Sequence, residues 1–355
     1  MAKIRVAVIA GGQSSEHEIS CISANGVLSA IDREKFEPLL IGITKSGKWV
    51  LPKSDVQLTI ADGQLPIIPE DSELLSADIN GFASAIGPLN IDVIFPVLHG
   101  PYGEDGTFQG ACEMAGYRYV GSGVLASAVA MDKSFAKAIF TAHGLKVAAG
   151  FDIHQREWPA VAEQAADRVQ SLGLPVFVKP ARGGSSRGTT KVKSLAAINS
   201  AIEDALNFDT KVMIEKAVVG REIECAVLQE KGETKASGVG EIRILGDHEF
   251  YDFTAKYLDN STEVLIPADI PADISEQVRI AAVKAFNALG CEGLARVDFF
   301  YSESGEVIIN EINTMPGFTS TSVYPKLWKA AGKSYSDLIT SLLESALTRS
   351  MSVTR

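Results

Sequence analysis

The chain has 355 residues, enough for two to three domains at about 150 residues each, and 46% of them are hydrophobic against 22% charged. That balance suits a soluble globular protein with sizeable cores, and no apolar run reaches the roughly 18 residues of a membrane span. A net charge of −11, from 33 basic and 44 acidic residues, excludes a general polyanion-binding surface and so points away from nucleic acid.

The amino terminus has one short apolar stretch, Val6 to Ala10, and then turns polar, which is not the pattern of a signal peptide. Cys21, Cys112, Cys225 and Cys291 lie at least 66 residues apart. That spacing argues against a zinc site or a disulfide framework and predicts a reducing, cytoplasmic setting.

Lys3 to Ala10 reads as a buried strand ending in Gly11-Gly12. Ser15 with Glu18 three residues on is a capping-box pattern and opens a helix to about Ile31. Pro38 to Thr44 is a second strand, residues 53 to 90 are an unpatterned insertion, and Ile91 to Leu98 is a third strand. Strands separated by helices and ending in glycine-bearing loops predict an open parallel sheet, which binds ligands at the carboxyl ends of its strands. A helix over Lys133 to His143 stops at Gly144. Leu174 to Pro180, Lys211 to Glu215 and Glu222 to Gln229 are further strands. Past Gly220 the chain is mostly β, with a helix over Pro271 to Leu289 and strands within Gly293 to Glu311. The last helix, Tyr335 to Arg349, sets Leu338, Ile339, Leu342, Leu343 and Leu347 on one face for packing onto the body.

The runs Leu294 to Tyr301 and Glu306 to Glu311 flank a turn containing Ser304-Gly305, a hairpin signal. If the turn is those two residues, Asp298 faces Glu311 and Arg296 faces Asn313. Opposed carboxylates repel unless a cation lies between them. Asp298, Glu311 and Asn313 together suit a hard divalent ion that also holds phosphate oxygens. An exposed hairpin whose charges pair with lysines reads equally well from the residues alone. Lys179 leads into the glycine- and serine-rich loop 181 to 188, a phosphate cradle or else a surface turn. Gly121-Ser122-Gly123 opens a helix after a short strand and imitates a dinucleotide fingerprint. No acidic residue ending a second strand follows about 20 residues on, so a tight turn between domains is the preferred reading and a nicotinamide enzyme the rival. Of the five histidines only His99 sits in a glycine-rich loop after a buried strand. The polar stretch Tyr251 to Glu263, with Lys256-Tyr257, reads as a long loop able to close over a site.

Taken in order, these segments resemble the D-alanine–D-alanine ligase family of ATP-grasp enzymes over residues 4 to 347. The matching stretches run from Gly11 to Glu18, His99 to Gly106, Met131 to Lys133 and Val178 to Pro180 with its serine loop. They continue through Phe250 to Tyr257, Ala295 to Asp298 and Asn310 to Gly317. The resemblance implies a fold of the α/β and α+β classes: an open parallel-sheet domain (1–130), then a two-part ATP-grasp fold (131–220 and 221–355). It implies ATP-driven joining of two D-alanines through D-alanyl phosphate, for peptidoglycan precursors, with a homodimer and two Mg²⁺ or Mn²⁺ ions.

Residue by residue, the resemblance makes Asp298, Glu311 and Asn313 the metal ligands and Lys133, Lys179 and Lys256 the phosphate-binding lysines. Glu215 to Val218, including Lys216, becomes the adenine hinge, and Glu222 the ribose acceptor. Ser185, Ser186, Asn310 and Glu311 complete the nucleotide site. Arg296 and the N–H of Gly317 become the oxyanion donors. Glu16 would receive the first D-alanine's ammonium with His99 beside it, and Ser322 the second substrate's carboxylate. Glu16, Ser185 and Tyr257 would form a hydrogen-bonded triad that orients the second substrate. Tyr257 favours the dipeptide product; D-lactate or D-serine as the second substrate is the alternative.

Overall fold

The computed structural model describes residues 2–61, 63–76, 81–244 and 262–350. Lys256, Tyr257 and the expected loop from 251 onward therefore lie, up to residue 261, outside the described residues.

The first sheet is built from β1 (Ile4–Gly11), β2 (Phe36–Ile43), β3 (Trp49–Leu51), β4 (Glu73–Ser76) and β5 (Val93–Pro96), in the order β4-β3-β2-β1-β5. β1 runs parallel to both β2 and β5, as expected, whereas β3 and β4 add antiparallel strands at one edge. Helices α1 (His17–Ala30), α2 (Phe82–Ile86), α3 (Thr107–Ala115) and α4 (Val124–Met131) belong to this part of the chain. Along β1, Val6, Val8 and Ala10 enter one core while Ala7 and Ile9 enter another. A parallel strand covered on both faces reads as a continuous apolar run for this reason.

α1 does not start as the capping box predicts. Its first flanking residue is Glu16, whose side chain makes no capping bond. Ser14 Oγ instead accepts the Glu16 N–H at 3.2 Å and donates to the His99 carbonyl at 2.7 Å. The carboxylate of Glu16 is thereby left for other partners. The insertion at 53–90 is tied down by His17, which faces the Gly12 carbonyl at 2.7 Å and accepts the Ile68 N–H at 3.0 Å.

The second sheet follows α5 (Lys133–Ala142). It comprises β6 (Gly150–His154), β7 (Val176–Pro180), β8 (Thr190–Val192) and β9 (Lys211–Lys216) in the order β6-β9-β7-β8, with α6 (Ala162–Leu172) and α7 (Ile198–Leu206). Val176, Val178, Val212 and Ile214 pack against Val169, Ile198 and Ile202 of those helices. The two-residue period then turns Phe177, Lys179 and Glu215 to the opposite face.

The third sheet is antiparallel. It contains β10 (Gly220–Glu230), β11 (Glu233–Ile244), β12 (Thr262–Leu265), β13 (Leu294–Ser302) and β14 (Val307–Asn313), ordered β12-β11-β10-β13-β14. α8 (Ala272–Ala288) covers one face through Val278, Ala282, Ala285 and Phe286, which meet Cys225, Val227, Ala295 and Val297. α9 (Val323–Ala330) and α10 (Tyr335–Thr348) lie in the core that Ala226 and Leu294 share with β1 and β5. Leu338, Ile339, Leu342 and Leu343 of α10 are all buried, on the face the leucine spacing marks out. One hydrophobic core thus joins the first sheet to the third.

The Gly121–Gly123 turn is part of that join. A Cβ on Gly121 would come within 3.2 Å of Met315 Cε, and one on Gly293 within 3.2 Å of the Gly121 nitrogen. The Glu292 N–H donates to Ser122 Oγ at 3.2 Å. The glycines permit two loops to meet backbone to backbone, which accounts for the dinucleotide-like spacing without a ligand.

Candidate active site

The hairpin β13–β14 carries the densest chemistry. Asp298 pairs with Glu311 and Arg296 with Asn313, as the sequence predicts, but the turn is not the predicted one. Ser302 N–H donates to the Glu306 carbonyl at 2.9 Å, so the loop holds Glu303, Ser304 and Gly305. Tyr301 pairs with Val307 and Phe299 with Ile309, one residue out of step. The step is recovered at Asn310, an extra residue between the Phe299 and Asp298 pairings. A bulge of this kind re-aims a side chain beside a site, and Asn310 lines the cavity below.

Along β13, Ala295 and Val297 enter the core while Arg296 and Asp298 face the cavity. Arg296 Nε and Nη2 donate to the two Asp298 oxygens at 2.7 Å each, and Nε lies 3.0 Å from Glu224 Oε2 on β10. Burial works against the guanidinium charge, but Asp298 and Glu224 hold its pKa well above the usual value. Asn313 Nδ2 donates to Asp298 Oδ2 at 3.1 Å, which leaves its amide oxygen for another partner. Glu311 lies 3.4 Å from Lys133 Nζ. Two carboxylates and an amide oxygen form an all-oxygen donor set that fits a hard divalent cation. Among the described residues no three of His, Cys, Asp and Glu cluster as a metal site, and the third donor here is the asparagine.

Facing this hairpin are the lysines of the second sheet and of α5. Lys133 Nζ donates to the Gly183 carbonyl at 2.7 Å and its N–H to the Ala181 carbonyl at 3.0 Å, so it anchors the serine loop. Asp132 caps α5 by accepting the Ser134 and Phe135 N–H groups, and it pairs with buried Lys211 at 2.8 Å. Glu215 accepts from both Lys179 and Lys137. Burial alone would raise the Glu215 pKa, but the two ammonium groups outweigh it and hold it down to about 2.

The serine loop bends over Glu16. Ser185 Oγ donates to Glu16 Oε1, and a Cβ on Gly184 would sit 2.8 Å from Glu16 Oε2, so a larger residue there would push the Glu16 carboxylate aside. Ser185 and Ser186 both have left-handed backbones, with φ of 49° and 57°. Such strain in residues other than glycine gathers at functional sites. His99 Nδ1 donates to the Met315 carbonyl at 3.0 Å, and Nε2 faces Ser23 Oγ at 3.2 Å. Burial lowers its pKa, so the neutral ring is the form that fits this pair of bonds. Ser23 Oγ also accepts the Phe318 N–H at 3.4 Å, which ties α1 to the segment bearing Gly317. Ser322 Oγ lies 2.8 Å from Thr319 Oγ1, one turn past that glycine.

The hairpin, the lysine wall and the serine loop enclose one cavity of about 610 Å³. It brings together Glu16, His99, Lys133, Lys179, Ser185, Ser186, Glu215, Lys216, Val218, Glu222, Arg296, Asp298, Asn310, Glu311, Asn313, Gly317 and Ser322, every expected site residue within the described chain. Three groups were not singled out from sequence. Glu104 lines the cavity and accepts the Gly100 N–H at 2.8 Å; burial, then the charge of Glu16, push its carboxyl up to about 8. It sits inside the His99 to Gly106 stretch, where its acidic type was the available signal. Glu224 is marked by its register opposite Asp298. Lys137, one turn beyond Lys133, carries no motif signal.

Two sheets that grip a polar cavity, lysines on one and a carboxylate hairpin on the other, define an ATP-grasp ligase fold. Two family models match the chain: "D-ala D-ala ligase N-terminus" over residues 5–122 and "D-ala D-ala ligase C-terminus" over residues 139–344. A protein of Paenarthrobacter aurescens named D-alanine–D-alanine ligase is 49% identical across 97% of this chain and 95% of its own length. The solved VanG D-Ala:D-Ser ligase from Enterococcus faecalis superposes with a TM-score of 0.85 at 37% identity, covering 97% of this chain and 100% of that one. The D-alanine–D-alanine ligase from Coxiella burnetii gives 0.78 at 32% identity, over 98% and 94%. The chain belongs to the D-alanine–D-alanine ligase family.

Proposed function

We propose that this chain joins two D-alanines into D-alanyl-D-alanine for peptidoglycan precursor synthesis, driven by cleavage of ATP to ADP and phosphate. It acts in the cytoplasm as a homodimer, with domains at 1–130, 131–220 and 221–355. The observation that carries the reading is the sharing of one cavity by Glu16, an anion suited to an ammonium, with the lysine wall and the Arg296–Asp298 hairpin, suited to phosphates.

A free carboxylate is too poor an electrophile for an amine and must first be activated. Glu16, with His99 beside it, takes the ammonium of the first D-alanine as a charge-assisted contact. Lys133 and Lys179, joined by Lys256, neutralise the phosphates, and Ser185 and Ser186 present the serine loop to them. The hinge from Glu215 to Val218 meets the adenine edge, and Glu222 accepts from the ribose. The substrate carboxylate attacks the γ-phosphorus, ADP leaves, and D-alanyl phosphate remains. The free amine of the second D-alanine, its carboxylate on Ser322, attacks the acyl carbon. Arg296 and the Gly317 N–H hold the developing oxyanion, and phosphate departs as the C–O bond breaks. Tyr257, with Glu16 and Ser185, orients that second substrate. Asp298, Glu311 and Asn313 would hold Mg²⁺ or Mn²⁺, two ions in all, with Asn310 and Glu311 on the nucleotide side. When bound, such ions neutralise charge on the ATP phosphates.

One observation favours a second reading: the likeness to a structure titled a D-Ala:D-Ser ligase. Competition among D-alanine, D-serine and D-lactate at neutral pH, with products resolved by mass, separates the two. D-alanyl-D-alanine is the expected main product. Predominance of D-alanyl-D-serine or of the ester would reject the assignment of the second substrate.

A further inference from the structure

Lys137 is 5% exposed, and no step of the reaction above uses it. It stands behind the cavity wall: Lys179 and Glu215 face the cavity, and Lys137 does not line it. The Glu215 carboxylate is shared, with Lys179 Nζ donating to Oε1 and Lys137 Nζ to Oε2. Two cations on one anion leave this buried cluster with a surplus positive charge. Burial, opposed by Glu215 and reinforced by Lys179, pushes the Lys137 ammonium down to about 8. A buried ammonium needs its carboxylate, and a buried carboxylate its ammonium.

Arrival of nucleotide phosphates sets up a competition for Lys179. It turns toward them by loosening its bond to Glu215. With Lys137 in place, Glu215 keeps a partner, and the surplus charge is what the phosphates neutralise. Without Lys137, Lys179 and Glu215 form a closed one-to-one pair. Each phosphate contact made by Lys179 then strands a buried carboxylate, a penalty charged against nucleotide affinity. We propose that Lys137 is a positioning residue for nucleotide binding: it holds the Glu215 carboxylate so that Lys179 is released to the phosphates. The proposal rests on the reading of this cavity as an ATP site.

The test uses the full chain with K137M and K137R, comparing ADP and adenosine affinity by calorimetry with KM values and kcat. K137M is expected to weaken ADP and raise the ATP KM by about 10–100-fold, the scale of a coupling between neighbouring sites. Adenosine affinity, the D-alanine KM and kcat stay close to wild type, and K137R restores ADP binding. In a K179M background the effect on ADP disappears, because it passes through Lys179. Should K137M not fold, K137Q takes its place: a neutral donor leaves Glu215 a hydrogen bond but no second cation, so a smaller loss of ADP affinity in the same direction is expected. A lower melting temperature with unchanged ADP affinity would make Lys137 a structural strut and overturn the proposal. So would equal losses for adenosine and ADP, or an undiminished effect in K179M. Wild-type chain that binds ADP yet turns over no D-alanine would reject the functional reading while leaving this test intact.

Discussion

Arg296→Ala lowers kcat by about 10²–10³-fold, the scale of a lost oxyanion donor. The guanidinium is mostly buried, and Asp298 and Glu224 hold it on two sides at the cavity wall. Those partners matter for stability as well as for rate. Removing the cation takes the two-pronged donor from Asp298, which keeps the Asn313 amide, and the neighbouring charge from Glu224; losing one partner of a mostly buried pair costs about 3–5 kcal/mol. Urea unfolding therefore accompanies the kinetics. Arg296→Lys separates the two effects: it keeps a positive charge for the carboxylates but lacks the planar fork that matches Asp298 and an oxyanion together. It retains most of the stability while still losing most of the rate. Normal turnover in Arg296→Ala would sink the assigned mechanism.

Glu16→Gln loses at least ~10²-fold in kcat/KM for D-alanine while ADP affinity stays at the wild-type level. Glutamine is nearly the same shape and can keep an oxygen facing Ser185 Oγ, so the fold of the serine loop over α1 is preserved. What it lacks is the negative charge that the substrate ammonium needs. Steady-state kinetics at varied D-alanine, with ADP calorimetry alongside, read the two halves of the site separately. An unchanged kcat/KM for D-alanine would remove Glu16 from substrate binding. Weakened ADP would show instead that its loss disturbs the loop carrying Ser185 and Ser186.

The parts of this molecule that follow local rules could be read from sequence. The parallel strands β1, β2 and β5 show as apolar runs because both their faces are buried, and α10 shows through its leucine spacing. The hairpin is more instructive, because the pairing of Asp298 with Glu311 is right although the turn assumed for it is one residue too short. The bulge at Asn310 cancels the difference, and no local pattern marks a bulge, since it answers to the site it faces. The start of α1 fails for a related reason: Glu18, the acidic half of the expected capping box, pairs with Lys45, while Ser14 and Glu16 are engaged by His99 and Ser185, so the box gives way to tertiary contacts. Lys137 could not be read at all. One lysine on an amphipathic helix is ordinary, and only the fold sets it against Glu215, 78 residues on. Antiparallel β3 leads into the weakly patterned 53–90 insertion and β4 lies within it, where short edge strands leave little periodicity to read.

Phosphate release from Mg-ATP by the purified chain, with D-alanine, L-alanine, or D-alanine plus D-lactate, tests the central claim most directly. The account predicts release that requires D-alanine, no release with L-alanine, and D-alanyl-D-alanine as the product by mass. No release with any of them, from folded protein that binds ATP, would contradict it: the grasp of the nucleotide would stand and the assigned substrate would fall.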